Sequence, residues 1–249
     1  MEVHAHSHTA RKKWTHYFWE FLMLFLAVFC GFLAENQREH FVEHNREKKF
    51  IETLLEDLTK DTIDFQSNIT SWEKMISRID TIKQELNKSP SERNPVLLYR
   101  HIAYMTSSSS FLYHDRTISQ LKNAGNFRLI QNKTIADSLV DYDTRIVNFL
   151  TDVESQHKEE RSHLLLLQNQ LFNSDFYILR SRPKQLDSVL KQKPAVFDIR
   201  KNKDDIVFEY SNWLNIYKRT TQLKISTQSQ MLQMAANLLM LAKKEYHLK

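Results

Sequence analysis

Histidine and glutamate are the residues to weigh first, because their spacing here repeats patterns that hold metal ions. His40-Phe-Val-Glu43-His44 has the H-x-x-E-H form of inverted zinc proteases. On a helix the two imidazoles lie one turn apart, with Glu43 as the base. Such a site needs a third ligand and a sheltered cleft. This one sits in the charged run REHFVEHNREKK and reads as a solvated juxtamembrane face. Glu154-Ser-Gln-His157 and Glu160-Arg-Ser-His163 are two Glu-x-x-His units, the element used by di-iron carboxylate bundles. Those bundles take one unit from each of two helices and add two more glutamates. Here both units fall on one helix and on different faces. They interrupt an apolar stripe, with Gln156, His157 and Glu160 at core steps. They read as a solvent-exposed or polar-lined stretch of bundle, with a polar-lined ligand pocket or a metal site as alternatives. His4, His6 and His8 alternate in what reads as a flexible polar tail, a kind of tract that binds Ni²⁺, Cu²⁺ or Zn²⁺ weakly. Nucleophile elbows, glycine-rich phosphate loops and kinase motifs are absent, and the four serines at 107–110 read as a loop. The sequons at Asn68 and Asn132 matter only in a eukaryotic secretory route. The reading is non-enzymatic: no catalytic, cofactor-binding or metal residue, and no cofactor.

The elements that position these residues follow from composition. In 249 residues there are 2 Gly, 4 Pro and one Cys. Glycine this scarce excludes hairpin-rich β structure, Rossmann loops and P-loops, which need backbone at φ > 0. A lone Cys30 excludes a disulfide framework within the chain and any Cys-based zinc site. The expected fold is all-α. The net charge of +5 is modest and dispersed. With no basic stripe carrying interleaved aromatics, nucleic acid is not an expected partner.

The apolar residues are unevenly spread. Residues 17–34, YFWEFLMLFLAVFCGFLA, carry a single charge, Glu20. With 14–16 added, the segment makes about 30 Å of helix, a bilayer core. Trp14, Tyr17 and Trp19 stand at its N-terminal edge, where amphipathic rings favour the headgroup level. Glu20 lies one turn inside, able to snorkel outward or pair with Arg11 or Lys13. A signal peptide would share this layout, but no small-x-small cleavage site precedes Glu35, so 14–34 reads as an uncleaved transmembrane helix. Cys30 is then a buried apolar residue, with palmitoylation or an intermolecular disulfide as alternatives. The cations nearest the segment, Arg11, Lys12 and Lys13, lie on its N-side. The expected orientation therefore puts a 1–13 tail in the cytoplasm and 35–249 outside.

Prolines 90, 95, 183 and 194 punctuate the remainder into long helical stretches, 41–88, a broken 95–124, 134–172 and 205–246. The first carries a heptad seam, Ile51, Leu55, Leu58, Phe65, Ile69, Trp72, Ile76, Ile79 and Leu86, with Thr62 and Lys83 filling its gaps and Ile82 beside the second. It is expected to continue from the membrane helix without a break. The segment 89–95 is a loop, Gly125 a left-handed helix cap, and 173–204 loop-like. The stripe of the third is Ile135, Leu139, Tyr142, Ile146, Phe149, Val153, Leu164, Leu167 and Leu171. That of the last is Phe208, Trp213, Leu214, Tyr217, Met231, Met234, Leu238 and Leu241. The whole predicts a long-helix antiparallel bundle of about four helices, coiled-coil-like. In an up-down-up-down order, Lys243, Lys244 and Lys249 return toward the headgroups. The first seam alternatively pairs with its own copy in a dimer.

The stretch TISQLKNAGNFRLIQNKTIADSLVDYD resembles a segment of an uncharacterised group of small bacterial single-span membrane proteins. It carries Leu121, Lys122, Gly125, Asn126, Phe127, Leu129 and Ile130 in their Leu-Lys-x-x-Gly-Asn-x-x-Leu-Ile pattern. The N-terminal anchor is similar to theirs, and the C-terminal third much less so. The resemblance implies a bacterial inner-membrane address and assigns no activity.

The expected function is a membrane-anchored interaction or scaffolding module of the cell envelope. Its expected partners are the lipid bilayer and either a second copy or another membrane protein. The alternative is an extracytoplasmic ligand-sensing bundle that signals through a separate partner.

Overall fold

A computed structural model describes residues 14–105, 109–123, 125–173, 188, 199 and 203–248. The chain divides into two compact units, Met1–Phe50 and Ile51–Lys249, sixteen residues later than the expected boundary after Ala34. The expected tail 1–13 and nearly all of the expected loop 173–204, with Pro183 and Pro194, lie outside the described residues.

Among the described residues the structure is helical throughout. The elements are α1 (Trp14–Leu86), α2 (Pro95–Met105), α3 (Arg116–Asn123), a 3₁₀ turn (Asn126–Leu129), α4 (Lys133–Asn148), a π-helical turn (Phe149–Val153), α5 (Glu154–Leu171) and α6 (Asp204–Glu245). The all-α reading holds.

In the first unit, 14–50, the apolar stretch has its side chains exposed in the chain itself. Its most apolar 18-residue window has a mean hydropathy of 2.0 with none of it buried. By length and composition it is a candidate single membrane span. Phe21, Phe25 and Phe29 stack at successive turns, with centroids 6.2 and 5.9 Å apart. Glu20 meets His16, one turn back, at 3.0 Å.

The second unit is a bundle of four columns. Asp80–Lys218 and Trp72–Lys224 contacts show α6 running antiparallel to α1. Phe65 stacks on Phe111, Asp61 meets His114 and Asp57 meets Thr117, so α2, the extended 109–115 segment and α3 together form a second, descending column. Asp61–Tyr142 and Trp72–His157 contacts show α4–α5 ascending beside α1. The topology is up-down-up-down.

Local chemistry sets the element ends. The Arg93 guanidinium donates to the Leu86 carbonyl at 3.0 Å, which satisfies a terminal acceptor of α1. Pro95 occupies the first position of α2, where its missing N–H costs nothing, and the Asn94 side chain accepts from Leu97 N. Asn132 caps α4 through Ile135 N. Gly125, at φ 62, takes the left-handed backbone that ends α3, as its position predicted.

Most of the expected seam is buried: Ile51, Leu55, Leu58, Phe65, Ile69, Trp72, Ile79 and Leu86. Three steps need correction. Met75 rather than Ile76 is buried, Ile82 rather than Lys83, and Asp61 rather than Thr62. An aspartate sits in the seam because partners from two other columns reach it, as described below. Phe208, expected in the α6 stripe, is 71% exposed. The real seam passes through Tyr210, Leu214 and Tyr217, and a residue two positions from Tyr210 points to the opposite face of a helix. The expected single helix 134–172 runs from Lys133 to Leu171 through a π turn, where Phe149 is buried.

Candidate functional site

A charged and polar layer crosses the interior of the bundle. It is built by Trp72 of α1, Glu154, His157 and Glu160 of α5, and Thr220, Thr221, Lys224 and Gln228 of α6, all buried. On α5 the three polar residues stand three apart, so they share the inward face of the helix. On α6 the residues 220/221, 224 and 228 repeat at single-turn steps in the same way.

Lys224 is fully buried, and its Nζ lies 2.5 Å from Glu154 Oε2. The contact is a charge pair whose angles are not those of a hydrogen bond. The ammonium also sits 3.9 Å from the Trp72 ring centroid, a desolvated cation–π contact. Burial holds the Lys224 amine below the ordinary lysine range, while Glu154 pulls the other way.

His157 is clamped between aromatic rings. Its ring meets Trp72 edge-on at 4.7 Å and stacks on Tyr217 at 4.4 Å. Its Nε2 lies 3.1 Å from Thr221 Oγ1. The Thr221 hydroxyl already donates to the Tyr217 carbonyl at 2.7 Å, so it accepts from the imidazole, and His157 is the neutral Nε2–H tautomer. Burial, then Lys224 and Arg161, hold its pKa down at about 3. Burial pushes the Tyr217 phenol up. Glu160 Oε1 accepts from Thr220 Oγ1 and from Gln156 Nε2, each at 2.9 Å.

A second buried cluster pins the descending column to α1. Asp61 Oδ2 accepts from the Tyr142 phenol at 2.7 Å. Its Oδ1 accepts from His114 N at 3.0 Å and lies 2.8 Å from His114 Nδ1. Burial raises the Asp61 carboxyl, against those hydrogen bonds. Asp57 Oδ2 accepts from Thr117 N at 3.0 Å and Thr117 Oγ1 at 2.6 Å, placing a carboxylate at the start of α3, where the helix dipole favours it.

The motifs singled out in the sequence are distributed as follows. His40 and His44 are exposed and Glu43 half-buried on α1, and His44 Nδ1 is 3.6 Å from Glu47. Of the two Glu-x-x-His units, Glu154, His157 and Glu160 are interior, engaged by Lys224, Thr221 and Thr220. His163 instead faces outward beside Trp213 and Glu209. Gln156, expected at a core step, is exposed. Among the described residues no group of three His, Cys, Asp or Glu side chains is arranged to hold a metal ion. His4, His6 and His8 lie outside those residues.

Two buried residues that sequence reasoning passed over are Lys224 and Asp61. Each had a usable signal: Lys224 is the only charge between Arg219 and Lys243, and Asp61 stands at a seam step. Among the described residues this arrangement buries its titratable groups. It does specify alignment: sliding α6 by one turn would separate Lys224 from Glu154 inside an apolar bundle, and an unpaired buried charge costs about 3–5 kcal/mol. Fold and site define a helical bundle with a charged register layer. No family model, curated protein or solved structure matches the chain.

Proposed function

We propose that this protein is a non-enzymatic, membrane-anchored interaction or scaffolding module of a bacterial cell envelope. One helix holds it in the inner membrane, N-terminus inside, with the bundle on the periplasmic side. The observation that carries the reading is the 17–34 segment, whose apolar side chains find little cover among the described residues, in a protein whose later helices bury their apolar seams in an aligned bundle. The Arg11-Lys12-Lys13 cluster supports the orientation. The resemblance of 117–143 and of the anchor to small single-span membrane proteins supports the address.

Association with a second copy or another membrane protein is the proposed activity. The test is crosslinking in intact membranes followed by detergent purification. A defined oligomer, or a reproducible co-purifying membrane protein, is expected, and a clean monomer with no crosslinked species contradicts association. Alkaline phosphatase and, separately, a cytoplasm-only fluorescent reporter fused after Lys249 test the orientation. Phosphatase activity without fluorescence is expected, and the reverse pattern overturns it.

A further inference from the structure

We infer that a cleft between α1 and the descending column binds a small phosphate-type oxyanion through Lys74 and Arg78. The cleft measures about 350 Å³ and is lined by Ser71, Trp72, Lys74, Met75, Arg78, Tyr104 and Ser109. That volume falls within the span of small-molecule sites, roughly 300–1,000 Å³. Residues 71, 74, 75 and 78 stand at i, i+3, i+4 and i+7, so one face of α1 forms the wall.

Its electrostatics are one-sided. The described residues that line it include two cations and no carboxylate. Neither Lys74 nor Arg78 makes an ion pair among the described residues. Asp80, the nearest aspartate along α1, is taken by Lys218 at 2.5 Å. Glu73 leaves the helix about 100° away from Lys74.

Arg78 is half-buried, and its guanidinium lies 4.8 Å from the Tyr104 ring centroid. Contact with an aromatic ring holds the group in place without using its N–H hydrogen bonds. A phosphate accepts two parallel bonds from such a fork. Lys74, one turn away, supplies a second positive charge. A half-buried guanidinium with no acidic partner among the described residues is costly alone and favourable once an anion joins it.

The Ser71 hydroxyl donates to the Ser67 carbonyl and Ser109 donates to Asn68, so Lys74 and Arg78 are the charged donors offered to a ligand. Trp72, whose indole N–H has no acceptor among the described residues, also borders the cleft. Burial, then Arg78 and Arg100, hold the neighbouring His101 below the ordinary histidine range, consistent with positive potential there. The site borders the Lys224 layer through Trp72, uses cations that the layer does not, and does not depend on the association reading.

The oxyanion is either free phosphate or a phosphate headgroup of a lipid, and one experiment separates them. The full chain in nanodiscs of phosphatidylcholine is titrated with inorganic phosphate against chloride at matched ionic strength. Thermal unfolding and the His101 ¹H–¹⁵N signals are followed. The same nanodiscs with phosphatidic acid added form the second arm. In one arm or the other, stabilisation and an upward shift of the His101 pKa are expected. R78Q and K74Q should each weaken the effect at least about tenfold, as loss of a hydrogen bond to a charged group implies. K133Q, a distant lysine, should leave it unchanged. A response to phosphate names the free ion, and a response confined to phosphatidic acid names the headgroup. No response in either arm overturns the inference, as does an equal response to chloride or an undiminished response in both R78Q and K74Q. Crosslinking is unaffected by all of these outcomes, so the two readings fail separately.

Discussion

Acidification should weaken this bundle through one residue, His157. Its imidazole is 2% exposed, clamped by Trp72 and Tyr217, and faces the Lys224 ammonium's field with Arg161 adding to it. Its pKa falls from 6.5 in the unfolded chain to about 3 in the fold. Between those values the unfolded chain binds the proton and the folded chain does not. Stability from this group is therefore full above pH 6.5 and is lost as pH falls from 6.5 toward 3. Integrating that difference gives a loss of about 2 kcal/mol between pH 7 and pH 5. Asp61, raised by burial, works in the opposite sense, adding stability at low pH that is lost as pH rises through its folded pKa. A comparison between wild type and H157F cancels that contribution. Phenylalanine keeps the stacked ring, and the Thr221 hydroxyl keeps its donation to the Tyr217 carbonyl. The assay is urea unfolding of the full chain in detergent, followed by circular dichroism at pH 7 and pH 5. Wild type should lose about 2 kcal/mol more than H157F over that interval. Parallel pH profiles for the two proteins would refute the burial argument.

Other substitutions probe other links. K224M leaves Glu154 buried and alone, and should cost about 3–5 kcal/mol in chemical unfolding; the double variant K224M/E154M should recover most of it, because the unpaired charge is gone. D57A removes the acceptor of Thr117 N and Oγ1, and should cost about 1–3 kcal/mol, with faster amide exchange at Thr117. G125A should cost about 1–2 kcal/mol in thermal unfolding, since a Cβ at φ 62 is strained although it would meet nothing within 4 Å; G125N should cost less.

Much of the architecture was legible because it rests on periodicity. A stripe stepping by four and three, from Ile51 to Leu86, identifies a buried face without any knowledge of its partners, and the near absence of glycine restricts the chain to helices. Gly125 was legible for the same local reason, since only its backbone needed explaining. What escaped depends on partners distant in sequence. Asp61 looks like a surface residue until Tyr142 and His114 arrive to bond it, 81 and 53 residues away. Lys224 looks like a solvated lysine until Glu154 meets it. The polar break at 154–160 was visible as a break, but whether it faced water or the core depended on what α6 carried opposite. The π turn at Phe149–Val153 has no spacing signature, because it adjusts α5 to the packing around it. The anion cleft combines residues of α1 with Tyr104 and Ser109, and only the folded chain brings them to one place.

The central claim, anchorage by 17–34, is tested most directly by fractionation. Membranes from cells expressing the full chain are extracted with alkaline carbonate, beside a variant carrying L26R and V28R within the span. Wild type is expected to remain in the membrane pellet, and the variant to be released, because arginine at the centre of a span costs about 2.5–3.5 kcal/mol each for insertion. Wild-type protein recovered in the carbonate supernatant would contradict the account.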